Sequence, residues 1–323
     1  MFETLKYDLG WAFRHWTAHP WLKSLRPKKT LELKDSTVAK TRKLRSVMEA
    51  DNLCSSRIRK IIGMGMAPLV VRGFADDWSA VRKWSLSLFN ERYGDDLIPT
   101  DDRDENGTVI YKTLSDVIAQ IRRGEPGYAR FSPLLIDHKE LVGDLDIRTL
   151  AKSTGAFKAE LLFQLFMGGK DSRTRTHCAG ETNAFVQISG TKIWYFVDPK
   201  ETRMLEPLPM GTPFFAAGAF LHDPNLPGFP ANLSVQKVVL NAGDLLIVPP
   251  FWWHQVDNPT ESIGVACRFF RLHQALSQSL FLSAMTFSAT TPNALKLHLN
   301  RRHFSIRYQN AIDLAPKTKK LPQ

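Results

Sequence analysis

Apolar and polar positions alternate from His177 onward through residues 174–194, TRTHCAGETNAFVQISGTKIW, which is the period-two signature of a half-buried strand. Gly190-Thr191-Lys192 then leads into a second strand-like run, residues 193–197. A second β-rich stretch, residues 243–268, contains GDLLIVPPFWWHQV and ends on Arg268. Residues 68–74 and 106–113 read as further strands, and Gly243-Asp244 as a hairpin turn. Helical spacing marks residues 40–62, through Leu44, Val47, Met48, Ile58, Ile61 and Ile62. It also marks a segment from Asp76-Asp77-Trp78 through Trp84 and Phe89. Residues 114–123 read as a helix, capped by Thr113 or Ser115 and stopped by Gly124 and Pro126. Residues 157–168, FKAELLFQLFMG, lead toward His177. After Arg271 the helical pattern returns with Leu272, Leu276 and Leu280, and again over 293–312. No internal repeat or low-complexity run stands out.

Composition narrows the classes. The 323 residues suffice for one large domain or two small ones, and a jelly roll with helical additions can use this length in one core. Cys54, Cys178 and Cys267 have no C-x-x-C spacing, so neither a disulfide framework nor a zinc finger is indicated, and a reduced, cytoplasmic setting is expected. No run of about 18 apolar residues predicts a spanning helix, and the first residues lack the apolar core of a secretion signal. Nucleophile elbow, P-loop and G-x-G-x-x-G patterns are absent, which removes support for hydrolase, kinase and Rossmann readings.

The net charge of +11 is uneven. Residues 1–60 sum to +8 and residues 296–323 to +6, which leaves 61–295 at −3. Basic flanks of this kind suit nucleic acid, anionic lipid or an acidic protein; a solvated surface is the simpler reading. Residues 1–25 set Phe2, Trp11, Phe13, Trp16 and Trp21 among Lys6, Arg14 and Lys23. This predicts a short amphipathic helix that docks on the protein's own core rather than on a membrane. Residues 26–40 read as a linker. The loop 211–234, rich in Gly, Pro and Phe, precedes the last strands and is expected to shape a substrate mouth.

The order H-x5-N-x-F-x-Q-x-x-G-x-K, from His177 to Lys192, followed by G-D-x-L-x-x-P-P-x-W-W-H-Q-V, resembles the JmjC/cupin-type iron- and 2-oxoglutarate-dependent oxygenases. The nearest likeness is the group that includes the asparaginyl hydroxylase of hypoxia signalling. It begins at Pro68, continues through Trp78, Trp84 and Tyr93-Gly94-Asp95, and covers residues 60–270 or so.

The resemblance implies a mainly β double-stranded β-helix, or jelly roll, with helical additions at both ends. It divides the chain into a basic, partly helical extension (1–60), a jelly-roll catalytic domain (61–272) and a helical, basic tail (273–323). C-terminal helices commonly make a dimer in this family, so a homodimer is expected.

The family holds Fe(II) with two histidines and a carboxylate, leaving positions for 2-oxoglutarate and O2. His177 matches the first ligand and His254 the distal one. The carboxylate belongs two residues after the first histidine, where strand side chains share a face. Ala179 stands there. Glu181 reaches the metal only if Gly180 turns the chain sharply, and Cys178 faces away on a regular strand. Lys192 matches the lysine that takes the far carboxylate of 2-oxoglutarate, and Thr174 the hydroxyl donor. Tyr128 is the candidate phenol and Arg268 a further anion partner. Asn183 and Gln187 point inward, either to orient co-substrate and substrate or as a satisfied polar pair. Trp252 and Trp253 read as core residues that deliver His254.

Three activities follow from Ala179. One is hydroxylation of an unactivated C–H bond in a protein side chain, an amino acid or a carrier-bound natural product. The second is radical halogenation, with chloride in the vacated position. The third is a non-catalytic cupin-like binding module.

Overall fold

The structure, a computed structural model, describes residues 44–65, 67–103, 109–125, 127–132, 134–156, 160–209, 214–226, 229–288 and 306–307. Its strands, in chain order, begin with β1 (Met48–Asp51), β2 (Leu69–Arg72), β3 (Leu97–Arg103), β4 (Val109–Thr113), β5 (Tyr128–Ser132) and β6 (Glu160–Gly168). Next come β7 (His177–Ala179), β8 (Thr182–Ser189), β9 (Lys192–Val197), β10 (Leu208–Pro209) and β11 (Phe214–Ala216). The last are β12 (Gln236–Leu240), β13 (Leu245–Val248), β14 (Trp253–Asp257), β15 (Ser262–Phe269) and β16 (Ile306–Arg307).

The larger sheet runs β1-β2-β13-β8-β15-β6-β16, with β5 also on β6; the smaller runs β10-β11-β7-β14-β9-β12. β3 and β4 pair with each other apart from both. Consecutive strands switch sheets: β7 to β8, β8 to β9, β12 to β13, β13 to β14 and β14 to β15 each cross from one wall to the other. That alternation is the expected double-stranded β-helix.

Period-two side-chain alternation sorts each strand into separate cores. On β8, Ala184, Val186 and Ile188 face outward into a layer with Trp84, Phe89, Leu114 and Ile118. Phe185 faces inward, with Phe166, Trp194, Phe196, Leu246 and Trp252, between the sheets. Cys178, Phe215 and Trp253 form the outer layer of the smaller sheet, against Phe251, Ala275 and Leu282. Each large apolar side chain buried this way stabilises by roughly 1.5–3 kcal/mol. Trp252 and Trp253 are fully buried on opposite sides of one sheet, as a core reading requires.

Several local expectations hold and others do not. The helix Leu114–Arg122 starts at Thr113, whose hydroxyl accepts the Asp116 N–H. The helical reading of 40–62 holds only from Ser55, where helix Ser55–Gly65 begins. Met48–Asp51 is instead a strand parallel to Leu69–Arg72, a tertiary pairing that local spacing does not encode. Gly243 and Asp244 do lie in a turn, but it joins β12 and β13 in different sheets and is not a hairpin. Within 293–312, Ile306–Arg307 pairs with β6 as a strand where a helix was expected; most of that stretch lies outside the described residues. So do the tryptophan-rich segment 1–25 and the linker 26–40. Helices Leu272–Gln278 and Leu280–Ser288 follow the last barrel strand. No described helix is long and apolar enough to cross a membrane.

Gly190 makes the β8–β9 crossing with φ +69°, and a Cβ there would lie 1.9 Å from the Glu261 carbonyl oxygen. Both the dihedral and the clash with backbone exclude a side chain. Gly190→Ala is therefore expected to destabilise the protein by about 3 kcal/mol, read as a fall in the urea midpoint. An unchanged midpoint would show that the crossing is not constrained.

Candidate functional site

The two histidines meet through strand pairing. His177 on β7 lies opposite His254 on β14, with ring centroids 4.2 Å apart. His177 Nδ1 is 2.8 Å from the Arg175 carbonyl, and His254 Nδ1 is 2.9 Å from the Trp252 carbonyl. A carbonyl only accepts, so each Nδ1 carries the proton and each Nε2 keeps its lone pair. A backbone carbonyl that fixes one ring nitrogen and leaves the other for a cation is how metal-binding histidines are oriented. Burial lowers the His254 pKa to about 4, against the Trp252 hydrogen bond, and the nearby charge of Arg268 adds to the lowering. His254 is thus neutral at pH 7, the state a ligand needs. His177 is half-exposed and lies toward solvent. Trp252, two residues before His254, is itself covered by Arg45, whose guanidinium lies 5.2 Å from its ring and pairs with Asp198 at 2.7 Å.

Ala179 sits two residues beyond His177 on the same face of β7, nearly buried. Its carbonyl accepts the Phe251 N–H at 2.7 Å, and its methyl group brings no ligand. The chain does bend at Gly180, where it leaves one sheet for the other. That bend takes Glu181 to Arg268: Oε2 lies 4.0 Å from Nη1, both side chains buried. Among the described residues no group of three His, Cys, Asp or Glu side chains is placed to hold a metal. The structure therefore does not bring Glu181 into a ligand set with the two histidines. Cys178 faces the outer core, and burial pushes its thiol pKa well up.

Lys192 begins β9 and is fully buried. Its Nζ donates to Asn258 Oδ1 at 2.5 Å and lies 5.2 Å from the centre of the Tyr128 ring. No carboxylate pairs with it among the described residues, and burial lowers its pKa to about 7. Thr174 is tied to β14 in both directions: its N–H donates to the Val256 carbonyl and its Oγ1 accepts the Val256 N–H at 2.9 Å. A hydroxyl that accepts can still donate its own hydrogen. Burial raises the Tyr128 pKa, so its phenol stays protonated.

Asn183 and Arg268 are cross-strand partners on β8 and β15. Asn183 Oδ1 is buried without a hydrogen-bond partner. Gln187 is only partly satisfied: its Nε2 donates to the Ser189 carbonyl at 2.8 Å while Oε1 has no partner. Phe214, at one end of the loop 211–234, stands 6.3 Å from His177 and 5.3 Å from the Arg268 guanidinium.

Two inward residues were not expected. Asn258 is the fixture for Lys192: its Oδ1 also accepts Ser262 Oγ, and its Nδ2 donates to the Ser172 carbonyl and hydroxyl. Gly168 makes room for it, since a Cβ there would fall 2.7 Å from Asn258 Nδ2. Trp194 lies 5.4 Å from His254, ring to ring, with its buried Nε1 unpartnered. Counting in twos from His254, and from Lys192, would have flagged both.

Paired histidines on one wall of a double-stranded β-helix, with a buried lysine along the same wall, define a cupin-type site. Residues 57–274 match the family described as Cupin-like domain, and the chain belongs to it. Lysine-specific demethylase JMJ31 of Arabidopsis thaliana is 30% identical over 160 residues, 47% of this chain and 29% of that protein. Lysine-specific demethylase 8 of Xenopus tropicalis is 23% identical over 198 residues, 58% of this chain and 45% of the relative. HSPB1-associated protein 1 of Homo sapiens is 30% identical over 101 residues, 29% of this chain and 20% of the relative. The chain spans under half the length of each of these relatives.

The lysine has a stability consequence with a definite sign. Its pKa falls from 10.5 to about 7 in the fold. Between those values the unfolded chain binds more protons than the native one, so stability rises with pH across that window. Below about pH 7 the cost of the buried ammonium is felt in full. Lys192→Met is expected to stabilise the protein at pH 6 by on the order of 3 kcal/mol, with the gain fading toward pH 10. Denaturant melts at the two pH values check this; a gain independent of pH would contradict it.

Proposed function

We propose that the protein binds Fe(II) through His177 and His254 and 2-oxoglutarate through Lys192, and oxidises an unactivated C–H bond of an organic substrate by hydroxylation. The observation that carries this reading is the fully buried Lys192, with no acidic partner among the described residues, on the same inner wall as the histidine pair. An ammonium without a counter-charge inside a protein is expensive unless an anion arrives to pair with it. A dicarboxylate spanning from the lysine to a metal on the histidines supplies that anion. Two relatives named as lysine-specific demethylases support the oxygenase class.

The residues fit the roles. Both histidines offer Nε2, and His254 is neutral. Bound iron and 2-oxoglutarate would supply, with O2, an oxidant strong enough for an unactivated C–H bond as the co-substrate is converted to succinate. Asn258 holds Lys192 Nζ in place, and Thr174 offers an O–H. Tyr128 covers the lysine with an aromatic face. Phe166, Phe185 and Trp194 keep bulk water from the inner cavity.

A second reading, halide transfer, is favoured by one observation: Ala179 stands two residues beyond His177 and brings no protein anion to the third ligand direction. Anaerobic titration with Fe(II) and 2-oxoglutarate separates the readings through the visible charge-transfer band. Hydroxylation expects a band indifferent to chloride. Halide transfer expects a band that shifts with chloride and loses that sensitivity in Ala179→Asp. No band would leave a non-catalytic binding module.

The lysine also sets a pH profile. Below about pH 7 it is already charged and affinity for 2-oxoglutarate should be flat. Above pH 7 binding must take up a proton, so affinity should fall about tenfold per pH unit. In Lys192→Met, 2-oxoglutarate binding should weaken far more than Fe(II) binding, and the slope should vanish. Equal loss of both ligands would sink the assignment.

A further inference from the structure

The wall that carries Lys192 and His254 also carries a buried donor that meets no protein acceptor among the described residues, the indole N–H of Trp194. Lys192, Trp194 and Phe196 are three successive inward steps along β9. His254 stands opposite the third step and Val256 opposite the second. Trp194 therefore occupies the wall between the lysine and the histidine, and it is 3% exposed. Rings hold the indole in place: Phe185 lies edge-on at 5.2 Å, Phe196 is stacked at 5.9 Å and His254 lies at 5.4 Å.

We propose that the Trp194 indole N–H donates a hydrogen bond to 2-oxoglutarate, at the 2-oxo acid end, away from the carboxylate held by Lys192. The proposal rests on the oxygenase reading and deepens it, since it adds a donor that positions the co-substrate. Three observations support it. The first is energetic. A buried indole N–H usually finds a partner, and leaving one unpaired costs stability that a phenylalanine or leucine in the same wall would not. The second is placement: the donor belongs to the cluster enclosed between the two sheets, one step from the lysine and in ring contact with His254.

The third is the chemistry of the ligand. A 2-oxo dicarboxylate carries acceptors only. Its far carboxylate meets Lys192 and the Thr174 hydroxyl. The histidines bring no hydrogen to the other end, because both Nδ1 hydrogens are taken by backbone carbonyls. Trp194 supplies a neutral donor there. A neutral donor fits beside a metal, where a second buried cation would be repelled.

The test removes the N–H and keeps the ring. Benzothienylalanine introduced at position 194 puts sulfur in place of the indole nitrogen, and Trp194→Phe is the simpler companion. Calorimetry without oxygen reads affinity for Fe(II) and then for 2-oxoglutarate, and the charge-transfer band reports on the 2-oxo acid end. Both substitutions are expected to weaken 2-oxoglutarate about ten- to a hundredfold, to shift the band and to leave Fe(II) affinity within about twofold. The ligand-free protein with benzothienylalanine should keep or raise its urea midpoint, because an unpaired donor has been removed. A merely structural tryptophan would give the opposite sign.

The proposal is overturned if 2-oxoglutarate binds the benzothienylalanine protein as tightly as it binds the natural one. It is overturned equally if the ligand-free midpoint falls with the affinity, for then the N–H already serves the fold, through a trapped water for example. In both cases the oxygenase reading stands. If the natural protein binds no 2-oxoglutarate at all, that reading falls and the role of Trp194 falls with it.

Discussion

An ammonium group fully enclosed between two sheets constrains much of what surrounds it. Lys192 starts a strand whose neighbours on the same face are Trp194 and Phe196, so its head group enters an apolar cavity by the same alternation that buries them. Among the described residues the Asn258 carboxamide accepts its hydrogen bond and the Tyr128 ring faces it. Asn258 is in turn fixed by Ser172 and Ser262 and seated against a glycine, so the lysine's position depends on three chain segments. A fold optimised for stability alone would place an apolar side chain there. Retaining the cation makes sense where the cavity is completed by an anion.

The histidine pair shows how strand register serves chemistry. β7 is three residues long and touches β14 through a single residue pair, and that pair is the two histidines. Both rings are oriented by the carbonyl two residues earlier, a local device that needs only extended backbone. The rigid Pro249-Pro250-Phe251 turn and the twin tryptophans then matter as positioning elements. Trp252 packs inside the barrel and Trp253 outside, so the start of β14 is held against rotation. Arg45, from a segment before the barrel, covers Trp252 and ties Asp198 at the end of β9. Chain far from the histidines in sequence thereby helps hold one of them.

Much of this was legible in the sequence, and the legible part has one character. Period-two runs exposed β8, β9 and the strand carrying His254, and motif spacing named His177, His254, Lys192 and Thr174. Those features are local. What escaped was long-range. Met48–Asp51 looks helical until Leu69–Arg72 is set beside it. Gly243-Asp244 looks like a hairpin until its two strands are seen to belong to different walls. Asn258, one residue past β14, and Trp194 on β9 fall in step with His254 and Lys192, but that step alone does not tell an amide that holds a lysine from a loop asparagine.

Glu181 carries that argument to the reactive side of the cavity. Linear distance along a strand set it too far from the metal unless Gly180 bent the chain, and Gly180 does lie in a bend. The bend nevertheless serves the barrel: it passes the chain from the smaller sheet to the larger, and it delivers Glu181 to Arg268. The loss of a carboxylate at Ala179 and the presence of one at Glu181 are thus separate facts. Removing the first takes a negative charge from the histidine side of the cavity. The second neutralises a guanidinium facing that same side. With Glu181 held there, Arg268 adds little net charge to the space left open by Ala179, so the electrostatic demand in that space is set chiefly by whatever cation the histidines hold.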